Sequence, residues 1–247
     1  MRRRALAAAM LAVLAAPAQA VRPGQDPPRL RTPRPVRLRP GAAPVLLQAE
    51  LAGHELRLGF AGPGAPEARI ALPSWYGNAR VFGLLPFAGR ELVLAAFEGN
   101  TGSGTYQEIQ AVIGQDDGGA LRILALETLH YRLSGMCGEV ALLRGRLAAA
   151  PGAGSLRIDY LAERHGAHCG RRGPRPPAAL EAWSSMLAWE GSGAIVPPPP
   201  APRAGPVRRR VEEARARVAE LLEAPRTRIT PDDIDRSGLM ELFAETG

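Results

Sequence analysis

From Val45 onward the chain breaks into short apolar runs separated by turn-forming residues. VLLQAEL, HELRLGF, ARIAL, ARVFGLL, ELVLAAFE, TYQEIQAVI, LRILALETL, EVALLRGRL and SLRIDYLAE are each short enough for a strand, and Gly, Pro, Asn or Asp stands at most of the breaks. Alternation is direct in SLRIDYLAE. There Leu156, Ile158 and Tyr160 share one side of a strand, and Arg157, Asp159 and Leu161 share the other. Many short strands with frequent turns predict a mainly β body, an antiparallel β-sandwich or barrel-like arrangement. No long helical pattern alternates with the strands, which argues against a doubly wound α/β sheet.

The segment ALEAWSSMLAWEG over 179–191 reads two ways. As a helix it groups Leu180, Trp183 and Leu187; as a strand it aligns Trp183, Ser185, Leu187 and Trp189. The following Gly191-Ser192-Gly193 reads as a turn and tips the reading to a strand. Four prolines over 197–200 then close the body. Beyond them Val207, Val211, Ala214, Val218, Leu221 and Leu222 recur at helical spacing, which predicts a C-terminal helix docked on the body or paired with another helix. Thr230-Pro231-Asp232-Asp233 has the composition of a second helix start, with a Thr cap and Pro in the first turn.

The N-terminal pattern is different. Arg2 to Arg4, an apolar run from Ala5 to Ala16 and the small–x–small triplet Ala18-Gln19-Ala20 form a tripartite export leader. Residues 21–44 then alternate Pro and Arg too densely for a helix or a central strand and predict an extended arm. The expected organisation is therefore a leader over 1–20, an arm over 21–44, a β-rich domain over 45–196, a Pro-rich linker over 197–206 and a helical tail over 207–247. No later stretch is long and apolar enough for a transmembrane helix. The expected location is periplasmic or secreted.

The formal charge of +7 changes the picture only once it is located. The arm carries six Arg against one Asp, whereas residues 45–196 carry 13 Arg against 14 acids. A neutral body does not point to nucleic acid; a basic arm points to an anionic envelope polymer or a protein partner. All 31 basic residues are arginine. Schiff-base catalysis, a P-loop lysine and a Ser–Lys dyad are thereby excluded.

Candidate chemistry is sparse. RHGAHC, residues 164–169, crowds His165, His168 and Cys169, and Cys137 is the other cysteine. In an exported protein two cysteines make one disulfide most simply, so a Cys137–Cys169 bridge is expected. A zinc site of Cys137, His165, His168 and Cys169 is the alternative, although no Cys-x-x-Cys knuckle is present. A thiol nucleophile is the third reading. GNTGSG over 99–104 lies between two strand patterns and reads as a hairpin loop rather than a phosphate cradle. DIDRSG over 233–238 starts like a calcium loop, but Ala244 occupies the position of the bidentate Glu.

Asp117-Gly118 predicts a tight turn between TYQEIQAVI and LRILALETL. A turn centred there places Ile109 opposite Leu126, and on the other face Glu108 opposite Glu127, with Tyr106 and Gln110 alongside. Two facing carboxylates suit a general acid/base pair in a cavity, or else a wet surface. Tyr106 and Gln110 are the candidate binding residues.

The composition calls for no cofactor. The reading that needs fewest assumptions is an exported, non-enzymatic binding or cell-envelope accessory protein. The alternatives are a glycan-directed hydrolase using Glu108 and Glu127, and an assembly factor recruiting a partner through its terminal helices. N-terminal sequencing of the protein recovered from the cell envelope should begin at Val21, and a retained Met1 would contradict export.

Overall fold

A computed structural model of the chain describes residues 33–135, 139–150, 154–166, 179–189, 195–199 and 201–243. Twelve strands lie in two antiparallel sheets. The first holds β1 (Arg34–Val36), β2 (Val45–Ala52), β3 (Glu55–Ala61) and β4 (Ile70–Pro73) in chain order. The second holds β5 (Arg80–Phe87), β6 (Arg90–Glu98), β7 (Thr105–Gln115), β8 (Leu121–Ser134), β9 (Val140–Ala149), β10 (Ser155–His165), β11 (Ala179–Trp189) and β12 (Ile195–Val196), again in chain order. Each strand pairs with its sequence neighbour, the outcome favoured when connections are short. The mainly β, two-sheet antiparallel body with a helical C-terminal appendage matches the expected fold class.

The two sheets share one apolar core. Leu47, Leu58, Ile70 and Leu72 of the smaller sheet are fully buried in it, as are Leu92, Ile109, Ile113 and Leu143 of the larger. The alternation in β10 buries Leu156, Ile158 and Tyr160, and β11 is a strand that buries Trp183, Ser185 and Leu187. GNTGSG is a hairpin loop between β6 and β7.

The arm departs from expectation at its C-terminal end. Residues 34–36 pair with β2, and Val36 and Leu38 are buried. The physical reason is an alternation hidden by the arginines: Arg34, Arg37 and Arg39 are exposed while the two apolar side chains between them enter the core. The rest of the expected arm and the leader, residues 1–32, lie outside the described residues.

The helical tail is docked. Helix α1 (Pro206–Leu222) buries Val211, Ala214, Val218 and Leu222, each large apolar side chain contributing roughly 1.5–3 kcal/mol. Its N-cap, Gly205, has no side chain to cap the helix. Glu181 of β11 does so instead, accepting from Val207 N (3.3 Å) and Arg208 N (3.2 Å) and placing an anion at the positive helix end. A Cβ at Gly205 would lie 2.4 Å from the Glu181 carboxyl carbon, so this approach requires glycine. At the other end the buried Arg122 of β8 donates to Leu222 O. Among the described residues no helix is long and apolar enough to cross a membrane.

The segment after α1 bridges the sheets. Ile123 N donates to Arg226 O (2.8 Å), Ala71 N to Thr227 O (2.8 Å), and Ile229 N to Ala71 O (3.1 Å), so one stretch touches both β8 and β4. Helix α2 (Pro231–Ser237) follows, with Thr230 as its cap. Thr230 Oγ1 accepts from Asp233 N (3.3 Å) and Thr230 N donates to Asp233 Oδ2 (2.9 Å), a reciprocal capping box. Gly238 closes the helix in the left-handed conformation at φ 71°. Asp233 of DIDRSG therefore serves a helix start.

Burial pushes the Asp233 carboxyl up, but hydrogen bonds from Thr230 and the charges of Arg226 and Arg236 outweigh it and hold the group below its usual value. Because the folded value is lowered, this stability is present above the unfolded carboxyl pKa of about 4 and is lost on further acidification. Thr230→Ala should cost about 1 kcal/mol in urea denaturation at pH 7, with a smaller deficit near pH 3. Equal deficits at both pH values would contradict the coupling.

Candidate functional site

The β7–β8 hairpin decides whether the two glutamates meet. Its turn lies where Asp117-Gly118 predicts it. Asp116 N donates to Ala120 O (3.0 Å), Asp116 Oδ1 accepts from Ala120 N (2.8 Å), and Gly119 takes φ 86°. Gln115 pairs with Leu121, one residue beyond the register of a two-residue turn because Gly119 joins Asp117-Gly118 in the loop, and two β-bulges then shift the ladder further. Val112 faces Ala125 whereas Ile113 faces Ile123, so Leu124 is the extra residue; Ile109 faces Thr128 whereas Glu108 faces His130, so Leu129 is the second. Consequently Gln110, not Glu108, stands opposite Glu127, and Leu126 faces Ala111. The expected acid pair is corrected: each carboxylate has its own partners.

Glu127 is buried against α1. Its Oε1 accepts from Arg215 Nε at 2.5 Å, and its Oε2 accepts from Arg215 Nη2 (3.2 Å) and Tyr160 Oη (2.6 Å). Arg215 Nη1 also donates to Ser185 Oγ (3.1 Å), and Trp183 stacks on Tyr160 with centroids 4.9 Å apart. Burial opposes the Arg215 charge, yet Glu127 outweighs it and the guanidinium stays a cation. Burial, followed by the Glu127 charge, holds the Tyr160 phenol well above its ordinary value and so protonated. Three donors occupy the Glu127 carboxylate, two from Arg215 and one from Tyr160. The group is a docking contact for α1.

Glu108 lies near the surface. Its Oε2 accepts from Arg80 Nη2 (2.6 Å) and from Tyr106 Oη (3.5 Å). His130 meets the Tyr106 ring edge-on at 5.5 Å. Burial lowers the His130 pKa, with Glu108 opposing and Arg144 and Arg132 assisting, so the imidazole is neutral at pH 7. Tyr106 remains accessible at 39 % exposure. Gln110 does not: it is buried.

The cysteine cluster is reached only at its edge. His165 ends β10, paired with Val140. Cys137, His168 and Cys169, the other three members of the alternative zinc set, lie outside the described residues. The expected Cys137–Cys169 disulfide is corrected: the structure holds no disulfide bond among the described residues, and hydrogen-bond ladders pair β8 to β11.

The described surface does offer a groove that the sequence did not announce. It has a volume of 640 Å³ and runs between the β1 segment and the β5–β6 hairpin, walled by Pro35, Pro86 and Phe87 and edged by Arg37, Arg90 and Glu91. Arg37 N donates to Glu91 Oε2 (2.8 Å) and Glu91 N to Arg37 O (2.7 Å), which fixes the two walls together. The hairpin turn is Ala88-Gly89, with Ala88 at φ 46°, an uncommon conformation for a residue with a side chain. Arg90 is buried and stacks on Trp189 at 5.1 Å. It donates to Gln115 O (2.9 Å) and Asp117 Oδ1 (2.8 Å), while its buried Nε has no partner. Arg37 makes no side-chain hydrogen bond or ion pair among the described residues and stands at the groove in solvent.

The residues missed by sequence reasoning are Arg215, Tyr160, Arg80 and Arg90. Arg215 had a signal: it lies four after Val211 and three before Val218, on the buried stripe of α1. Comparison with family models, with curated proteins and with solved structures finds no match for the chain.

Arg215→Met and Glu127→Gln should each destabilise the fold by about 3–5 kcal/mol, because each strands a buried polar partner. Glu127→Leu combined with Arg215→Met should recover most of the loss. Single-variant costs below about 1 kcal/mol in urea denaturation would show that the pair does not hold α1.

Proposed function

We propose that this chain is an exported, non-enzymatic binding protein of the cell envelope whose ligand is an anionic polymer. The observation that carries the reading is that Arg34, Arg37 and Arg39 are exposed on a segment whose Val36 and Leu38 are anchored in the core. Guanidinium groups on a fixed backbone lose less freedom on binding than groups on a free arm. They also present planar donor forks suited to carboxylate and phosphate. The Arg37 groove beside them would receive a polymer segment, and the further arginines of 21–32 would add unspecific attraction.

Two features weigh against the alternatives. Glu108 and Glu127 are engaged with different arginines, which removes the paired geometry a glycosidase needs. The apolar stripe of α1 is covered by the body, so it is not free to recruit a helical partner.

Replacing Arg34, Arg37 and Arg39 together by Gln should weaken binding to anionic envelope glycan about tenfold in low salt, with little effect in 1 M NaCl and none on thermal stability. Robust hydrolysis of that glycan by the purified protein, lost in Glu108→Gln, would place the chain among hydrolases instead.

A further inference from the structure

A second cavity lies between α1 and the larger sheet. It has a volume of 260 Å³ and is walled by Leu124, Leu126, Leu187, Ile195, Val218 and Leu222. Glu127 and Arg215 also line it, but they neutralise each other and their polar atoms are engaged. Such a wall offers water few partners; an apolar cavity of about 150 Å³ already stays dry and takes up benzene. The opening carries the opposite character. Glu220 and Glu223 border it, both exposed and neither carboxylate with a partner among the described residues. The C-terminal end of α1 is itself met by Arg122, which sits 3.9 Å from Asp116, so the acidic character of the opening rests on the Glu220 and Glu223 carboxylates. Arg226 is nearby in sequence, but it donates to Leu221 O (2.7 Å) and sits 3.7 Å from Asp233, so its charge is already matched.

An apolar interior behind an acidic rim has a definite complement. We propose that the cavity takes up the alkyl chain of a single-chain amphiphile whose head group is cationic, the chain beneath α1 and the head between Glu220 and Glu223. The inference does not rest on the anionic-polymer reading, since the two sites share no lining residue.

The test uses the mature full chain and three eight-carbon probes below their micelle concentrations: octyltrimethylammonium, octyl sulfate and octyl glucoside, each followed by calorimetry. Saturable one-to-one binding is expected for the ammonium, about tenfold tighter than for the sulfate at low salt. Glu220→Gln with Glu223→Gln should abolish that preference and leave the glucoside unaffected. Ala219→Phe, which fills the cavity from the helix side, should weaken all three at least tenfold while the thermal transition shows a folded protein; Ala219→Leu, a smaller change, should weaken them less. Absence of saturable ammonium binding, sulfate binding as tightly as ammonium, or unchanged binding in folded Ala219→Phe or Ala219→Leu would each overturn the proposal.

Discussion

The contact on which the architecture depends is the docking of α1 by charged groups of the larger sheet. Glu181 meets the positive end of the helix, Arg122 meets its negative end, and Glu127 meets Arg215 between them. Each charge lies where the helix presents its opposite, so the sheet reads both the direction and the height of the helix. Apolar burial alone would hold a stripe of Val211, Val218 and Leu222 against the sheet without choosing between neighbouring positions. The desolvation of Glu127 and Arg215 is offset only when Tyr160 and Ser185 complete their hydrogen bonds. That requirement ties β8, β10, β11 and α1 into one arrangement.

From that arrangement the rest follows. Once α1 is placed, the chain after it crosses from β8 to β4 and hydrogen-bonds both sheets. Helix α2 and the short turn Leu239–Glu241 then cover Gln107, whose side-chain amide donates to Thr128 Oγ1 (2.7 Å) and Leu239 O (2.6 Å). Phe243 closes on Tyr131 at 5.1 Å. The helical tail is therefore part of the core. The β1 segment keeps its arginines outward, beside a groove with proline and phenylalanine walls.

Much of this was legible because local patterns and tertiary packing agree. All nine apolar runs form strands, the Asp117-Gly118 turn is where its chemistry places it, and Thr230 caps α2. The failures have specific causes. The loop takes in Gly119 beside Asp117-Gly118, and the bulge at Leu124 inserts an apolar residue among apolar residues; no pattern marks either, yet together they place Gln110 instead of Glu108 opposite Glu127. Val36 and Leu38 alternate with arginines in a proline-rich context, and composition masked a two-residue core contribution. Arg215 sits on an apolar stripe that periodicity treats as hydrophobic, although its partner comes from a strand 88 residues earlier. Such partnerships between distant elements leave no local trace.

The central claim is that tail and body form one cooperative unit joined through Glu127 and Arg215. Native-state amide hydrogen exchange tests it most directly, because it reads the opening energy of each element separately. The account predicts that the amides of α1 exchange with the same opening free energy as those of β8, and that both respond equally to low urea. Fast exchange across α1 while β8 stays protected would show that the helix is a loosely attached appendage, and would contradict the account.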